Sequence, residues 1–145
     1  MQIKETIQDW GRQWLYVEYL YSRYADTYRL TFASLKALDK IYHEEVCTQK
    51  YLCTMLSMPK QTVSSFMVNL SKQGLVMRTV SPTDRRQCEY TLTQAGRDLC
   101  EEIFDRLDHI EYEAFSQLSE AERESFTRGN RKLTKLIEQG MKGGD

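Results

Sequence analysis

Only two prolines, Pro59 and Pro82, interrupt 145 residues, where average usage of about 5% would place about 7. Proline inside a helix removes a backbone hydrogen bond and clashes with the preceding turn. The stretches on either side of residues 59–82 are therefore free to form long helices, and the two prolines mark where the pattern must change. With 41% apolar and 28% charged residues, the chain has ordinary globular usage and enough apolar side chains for a core. It is expected to form one domain, or one domain with helical extensions. No run approaches the roughly 20 apolar residues of a membrane span, so no membrane partner is expected. Residues 1–10 are charged and amphipathic, without the apolar centre of a signal peptide. Cys47, Cys53, Cys88 and Cys100 form no C-x-x-C pair, which fits reduced thiols and a cytoplasmic location.

The apolar periodicity is helical over most of the chain. Ile3, Ile7, Trp10, Trp14, Val17, Tyr21, Tyr24 and Tyr28 follow alternating steps of four and three, an a/d seam on one long helix. About 25 residues at 1.5 Å rise span nearly 40 Å, more than a small domain covers. The seam is expected to pack partly against another chain; the alternative is a core helix lying across its own domain. A second helix fits residues 31–42, with Leu35, Leu38 and Ile41 on one face. Thr48 is placed to cap a short third helix carrying Leu52, Met55 and Leu56. After a tight break at Ser57 and Met58, Pro59 suits the first turn of a fourth helix. That helix buries Val63, Phe66, Met67 and Leu70 and ends near Gly74.

The period then shortens. Residues 75–80 are rich in β-formers, Ser81-Pro82-Thr83-Asp84 is turn chemistry, and Cys88, Tyr90 and Leu92 alternate with Glu89 and Thr91. This predicts a hairpin with Asp84, Arg85 and Arg86 at its tip. Thr93 is placed to cap a fifth helix with Leu99, Ile103, Leu107, Ile110, Ala114 and Leu118. Ser119-x-x-Glu122 is a capping box for a last helix with Phe126, Leu133 and Ile137 inward. Gly129-Asn130 weakens its middle, and Gly140, Gly143 and Gly144 mark a frayed tail.

Charge is distributed unevenly beneath a net −1. Residues 1–57 are neutral, 58–97 carry +4, 98–124 carry −8 and 125–145 carry +3. No acidic residue occurs over 56–83, where about 3 are typical. Short helix, tight turn, helix and basic-tipped hairpin make a winged helix-turn-helix. The fold class expected is mainly α with a small β-hairpin: a DNA-binding lobe over 31–98, flanked by dimerisation helices over 1–30 and 99–140.

A helix fits the major groove, where base edges display a distinctive pattern, and arginine suits the negative minor groove. With its apolar face removed, the fourth helix presents Lys60, Gln61, Thr62, Ser64, Ser65, Asn69 and Lys72. Gln and Asn read adenine, Ser and Thr bond phosphates or bases, and the lysines attract phosphate. At the hairpin tip, Arg85 and Arg86 follow Asp84, whose carboxylate is placed to orient a guanidinium. Double-stranded DNA is the partner these residues suggest.

At Gln61-Thr62-Val63-Ser64, Leu70-x-x-x-Gly74-Leu75-Val76, Ser81-Pro82-x-Asp84-Arg85-Arg86, Leu92-Thr93-x-x-Gly96 and Leu118-Ser119-Glu120 the sequence resembles the MarR family of bacterial transcriptional regulators. The segment 61–96 carries the specific motifs. The resemblance implies a homodimer with interlocked terminal helices, reading a pseudo-palindromic operator, most often as a repressor. It implies helix 60–70 in the major groove, Arg86 at the minor groove and Asp84 positioning the wing. It also implies release of DNA by a small anionic or phenolic ligand, a metal or an oxidant. Two departures stand out. Ser65 and Phe66 follow Thr-x-Ser where many members carry Arg, and Ser57 occupies a turn that often has Gly; the latter is tolerable if φ stays negative.

Trp14, Tyr24, Tyr28, Phe32 and Tyr42 are the candidate lining of an effector pocket for a small aromatic or phenolic molecule, weighed against plain core and dimer packing. Among the thiols, Cys47 is the best exposed redox candidate. His43 and His109 show no ligand-pair spacing, so no metal and no cofactor are expected. The chain has no Gly-rich phosphate loop, nucleophile motif or paired carboxylates, so no catalytic residue and no enzyme are expected. The alternative function is a winged-helix module that binds protein instead of DNA; it would need neither the acid-free helix nor the arginine pair.

Overall fold

In the computed structural model, which describes residues 1–143, the heptad segment is one helix, α1 (Ile3–Asp26). Then follow α2 (Phe32–Glu44), β1 (Cys47–Thr48), α3 (Gln49–Leu56), α4 (Lys60–Lys72), β2 (Val76–Val80), β3 (Cys88–Leu92), α5 (Gln94–Ser116) and α6 (Glu120–Lys142). The expected class, mainly helical with a small β element, is the one observed. Two compact units are present, Met1–Glu102 and a second beginning at Ile103. Among the described residues no helix is long and apolar enough to cross a membrane.

Within the first unit, the core is built from the helical faces that the periodicity picks out. Leu35, Leu38 and Ile41 of α2, Leu52 and Leu56 of α3, and Val63, Phe66, Met67 and Leu70 of α4 are buried. Each such side chain contributes about 1.5–3 kcal/mol on leaving water. Met55 does not join them: it is exposed, and Gln49 is buried on α3 in addition to Leu52 and Leu56. The seam of α1 is only partly used. Ile3, Ile7, Trp10, Trp14 and Val17 are exposed, while Tyr21 and Tyr24 are half-buried near the α2 end. Tyr28 falls in the turn beyond the helix, because α1 ends at Asp26.

Three helix ends close in the same way. The N–H of Leu30 donates to the Ala25 carbonyl at 3.1 Å and that of Arg29 to Asp26 at 2.9 Å. The pairs Met58 to Cys53 and Ser57 to Thr54 repeat this after α3, and Leu75 to Leu70 and Gly74 to Ser71 after α4. This double bond pattern satisfies terminal carbonyls but forces one residue into the left-handed region. Those residues are Arg29 (φ 57°), Ser57 (φ 52°) and Gly74 (φ 73°), of which only Gly74 lacks a Cβ. The expectation of negative φ at Ser57 is thus corrected. Pro59 is also one residue outside its expected place: it is the N-cap, at φ −61° and ψ 151°, and Lys60 opens α4. Its fixed φ still suits this position, because the cap needs extended backbone.

The sheet has one more strand than the hairpin. β2 and β3 pair antiparallel from Val76 opposite Leu92 to Val80 opposite Cys88. β1 adds to the other edge of β3, with Cys47 opposite Tyr90 and Thr48 opposite Glu89. Two residues carry no readable period, so this strand is invisible to alternation arguments. Thr48 then ends the strand and caps α3, its hydroxyl accepting the Tyr51 N–H at 3.0 Å.

Thr93 starts α5 as expected, its hydroxyl accepting the Gly96 N–H at 3.0 Å. The same hydroxyl donates to the Gly74 carbonyl at 2.5 Å, and the Thr93 N–H donates to Leu75 at 3.1 Å. Gly96 packs so close that a Cβ built on it would lie 1.9 Å from the Leu75 carbonyl oxygen.

In the second unit, α5 stops before Leu118, which lies in the connecting turn. The Arg123 guanidinium caps that end by donating to the Phe115 and Leu118 carbonyls. The capping box opens α6: Glu122 N–H donates to the Ser119 hydroxyl, and Ser119 N–H to the Glu122 carboxylate. The hydroxyl and amide of Ser119 hold the Glu122 carboxyl below its usual range. The inward face expected for α6 is corrected. Phe126, Leu133 and Leu136 are exposed, Ile137 is half-buried, and no residue of the helix is buried. Gly129-Asn130 does not interrupt it, and it runs through Gly140 to Lys142; Gly144 lies outside the described residues.

Two stability outcomes follow from these closures. Gly96→Ala should cost about 3 kcal/mol or more, since backbone must move away from the new methyl; urea unfolding that leaves the midpoint unchanged would contradict the contact. Ser57→Gly should stabilise by roughly 0.5–1 kcal/mol, relief of left-handed strain outweighing the entropy lost by glycine, and the same titration reads it.

Candidate nucleic-acid interface

The outward face of α4 is what remains once its apolar stripe is buried. Lys60, Gln61, Ser64, Ser65, Val68, Asn69 and Lys72 line one open surface groove. Six of the seven residues expected on this helix are brought together here. Thr62 is exposed but is not among the groove's lining residues, and Val68, which the polar pattern passes over, is.

The position of α4 is set by a buried polar chain. The Tyr90 hydroxyl donates to Gln49 Oε1 at 3.4 Å, and Gln49 Nε2 donates to the Lys60 carbonyl at 3.3 Å. Strand β3, helix α3 and the first turn of α4 are thereby tied at one point. Both groups are buried, so each needs the other as a partner. Burial also pushes the Tyr90 phenol up. Gln49 escapes sequence reasoning because a glutamine opening a short helix normally faces water.

The hairpin tip is an ordered loop. The Ser81 N–H donates to the Gln87 carbonyl at 2.8 Å. The Ser81 side chain, 3% exposed as a residue, accepts from the Thr83 and Asp84 amides, both at 3.4 Å. Asp84 acts on backbone, not on a guanidinium: its Oδ1 accepts the Arg86 N–H at 2.9 Å, and its carbonyl accepts the Gln87 N–H at 3.0 Å. The expected carboxylate–guanidinium pair is thus replaced by a side-chain turn that shapes the loop. Arg85 and Arg86 project into solvent from it.

Between α3, the start of α4 and the hairpin lies a crevice of about 320 Å³. Lys50, Lys60 and Arg86 line it with Gln49, Cys53, Gln87 and Cys88, and no acidic residue does. Among the described residues no ion pair involves Lys50, Lys60, Lys72, Arg85 or Arg86. Their positive potential is therefore not neutralised within the chain. Arg78, on the exposed side of β2, donates to Cys88 Sγ at 2.8 Å.

The effector-pocket candidates fall into separate ring contacts. Trp14 meets Trp10 edge-on at 5.2 Å, Tyr24 meets Tyr28 at 5.5 Å, Phe32 lies 5.7 Å from Tyr21, and Tyr42 lies 5.4 Å from His43. The Tyr28 hydroxyl is sealed from solvent without a hydrogen-bond partner. The cysteine expected to be exposed is not: Cys47 is 1% exposed, and burial pushes its thiol up to about 11. Burial likewise pushes Cys100 up to about 12. Among the described residues no three His, Cys, Asp or Glu side chains cluster as a metal site.

The model of the MarR family matches residues 30–87, the segment from the end of the first helix to the hairpin tip. Among solved structures, a DNA complex of MepR from S. aureus superposes with a TM-score of 0.75 at 22% identity, covering 94% of this chain and 99% of that one. A MarR transcriptional regulator from Methanosarcina mazei gives 0.74 at 21%, covering 96% and 98%. Wild-type MarR from E. coli, in its apo form, gives 0.71 at 21%, covering 92% and 96%. No curated protein matches the chain by sequence.

Asp84→Ala should speed hydrogen exchange of the Arg86 amide by roughly 10- to 100-fold, a hydrogen bond to a charged group being worth about 1.5–3 kcal/mol. Asp84→Asn keeps an acceptor and should stay near wild type. Equal exchange in all three proteins would show that the carboxylate does not hold the tip.

Proposed function

Since residues 30–87 carry a MarR-family winged helix within a MarR-type fold, we propose that the chain is a dimeric transcriptional regulator that binds double-stranded DNA sequence-specifically. The observation that carries this reading is the unpaired, acid-free surface made by α4 and the hairpin tip. Lys60 and Lys72 sit 12 residues apart on α4, about 18 Å along the axis, so they reach phosphates on both sides of a major groove about 12 Å wide. Gln61, Ser64, Ser65 and Asn69 between them face base edges, with Thr62 at the phosphate margin. Arg85 and Arg86 extend toward the adjacent minor groove, held at their angle by Asp84. The crevice lined by Lys50, Lys60 and Arg86 takes a backbone phosphate between helix and wing.

The remaining parts of the reading concern assembly and control. Residues 1–30 and 99–140 form the homodimer, the exposed halves of α1 and α6 being covered by a second copy. Two lobes then read a pseudo-palindromic operator, and the protein acts in the cytoplasm as a repressor. A small aromatic or phenolic effector releases DNA by binding among Trp14, Tyr24, Tyr28, Phe32 and Tyr42. The unpartnered Tyr28 hydroxyl supports this, as a buried polar group that a ligand would satisfy.

The test is the salt dependence of operator affinity. Arg86→Ala should weaken binding and flatten the slope of log K against log salt by about one per protomer. An unchanged slope and affinity would remove Arg86 from the interface. A monomer mass by light scattering at micromolar concentration would remove the dimer.

A further inference from the structure

The groove along α4 holds one residue that does not match its neighbours. Val68 is 46% exposed in the middle of a lysine-, serine- and amide-lined surface. At about 100° per residue, the groove-lining positions span about half the helix circumference, and Val68 falls close to their centre line. It is flanked by Ser64 and Ser65 one turn before and by Lys72 one turn after. A β-branched side chain at an exposed helix position has poor intrinsic propensity, so the local helix gains nothing from it. No packing explains it either, since the apolar stripe of α4 is complete in Val63, Phe66, Met67 and Leu70.

Valine has no donor or acceptor, so it cannot read a base edge by hydrogen bonding. The major groove offers it one matching group, the 5-methyl of thymine. Guanine and adenine present polar atoms toward the groove, and cytosine sets its N4 amino group beside a bare C5–H; the polar atoms lose water against Val68 without gaining a partner, and the C5–H lacks the methyl it would touch. We propose that Val68 is a specificity-determining residue that selects thymine, through its methyl group, at one position of each half-site. This rests on the DNA-binding reading above and deepens it.

The test separates the two. DNA bound by the full chain is selected from a random pool, and each thymine of one enriched half-site is then replaced singly by uracil, which lacks only the methyl. At one position uracil should weaken wild-type binding about fourfold, the effect of leaving one methyl in water. Val68→Ser, at an exposed site where the helix tolerates serine, replaces the apolar contact by a hydroxyl and should bind the thymine and uracil duplexes equally. A wild-type protein indifferent to uracil at every position overturns the proposal while leaving DNA binding intact. So does a Val68→Ser protein that keeps the wild-type ratio. A pool with no enriched sequence overturns the DNA-binding reading, and the role of Val68 with it.

Discussion

The junction that joins the end of α4 to the hairpin and to α5 depends on one backbone oxygen, the carbonyl of Leu75. It accepts the Thr93 N–H, and Gly96 is pressed against it so tightly that no Cβ fits. One residue earlier, the Gly74 carbonyl accepts the Thr93 hydroxyl. The end of α4, the start of β2, the end of β3 and the first turn of α5 therefore meet at a point. A recognition helix is useful only if its angle to the wing is fixed, because both must reach DNA together. Here that angle is set by a backbone hydrogen bond, by the Thr93 hydroxyl and by a glycine whose value is the absence of a side chain.

The opposite end of α4 is fixed by different means. Gln49 bridges Tyr90 and the Lys60 carbonyl, so the first turn of α4 hangs from the centre of the sheet through two buried side chains. The short β1 belongs to the same device, since pairing Cys47 with Tyr90 brings Gln49 within reach. Helix α4 is thus held at both ends, and its apolar stripe fills the space between. What is left free is its polar face, together with a hairpin tip ordered by Ser81 and Asp84. Ordering before binding lowers the entropy lost on binding, which favours affinity from few contacts.

Most of this was legible in the sequence, for identifiable reasons. Helices announce themselves through long apolar periods, so α1, α2, α4 and the capping box of α6 are readable from spacing. The absence of acids over 56–83 marks the face of α4 in the sequence itself. Features carried by single residues were not readable. A left-handed Ser57 looks like any serine, because φ is set by the tertiary demand for a tight turn. Asp84 looks like a partner for arginine, but the Arg86 amide is closer and needs no side-chain ordering. Cys47 looks exposed at a helix start, but a two-residue strand carries it into the core. Phe126 and Leu133 look inward because a helical period says that a face is apolar, not what covers it. Val68 was passed over for the converse reason, as an apolar residue on a face judged by its polar ones.

A second copy of the chain is what this charge distribution needs if the surface is to work on DNA. Lys50, Lys60, Lys72, Arg85 and Arg86 are five cations per protomer. At about −0.9 per neutralised phosphate, one protomer reaches a salt slope of at most about −4.5. The net charge of −1 adds no long-range attraction, and residues 98–124 at −8 actively repel polyanions. A single lobe would therefore hold nonspecific DNA weakly at physiological salt. Two lobes on one duplex double the cation count and make the second contact intramolecular, at the high effective concentration of a short rigid tether. On the proposed reading, weak single-lobe attraction would keep the protein off random sequence while a symmetric site engages the polar α4 face of each copy. If a second copy covers the exposed apolar residues of α1 and α6, as proposed, those residues serve DNA binding as directly as the polar face of α4 does.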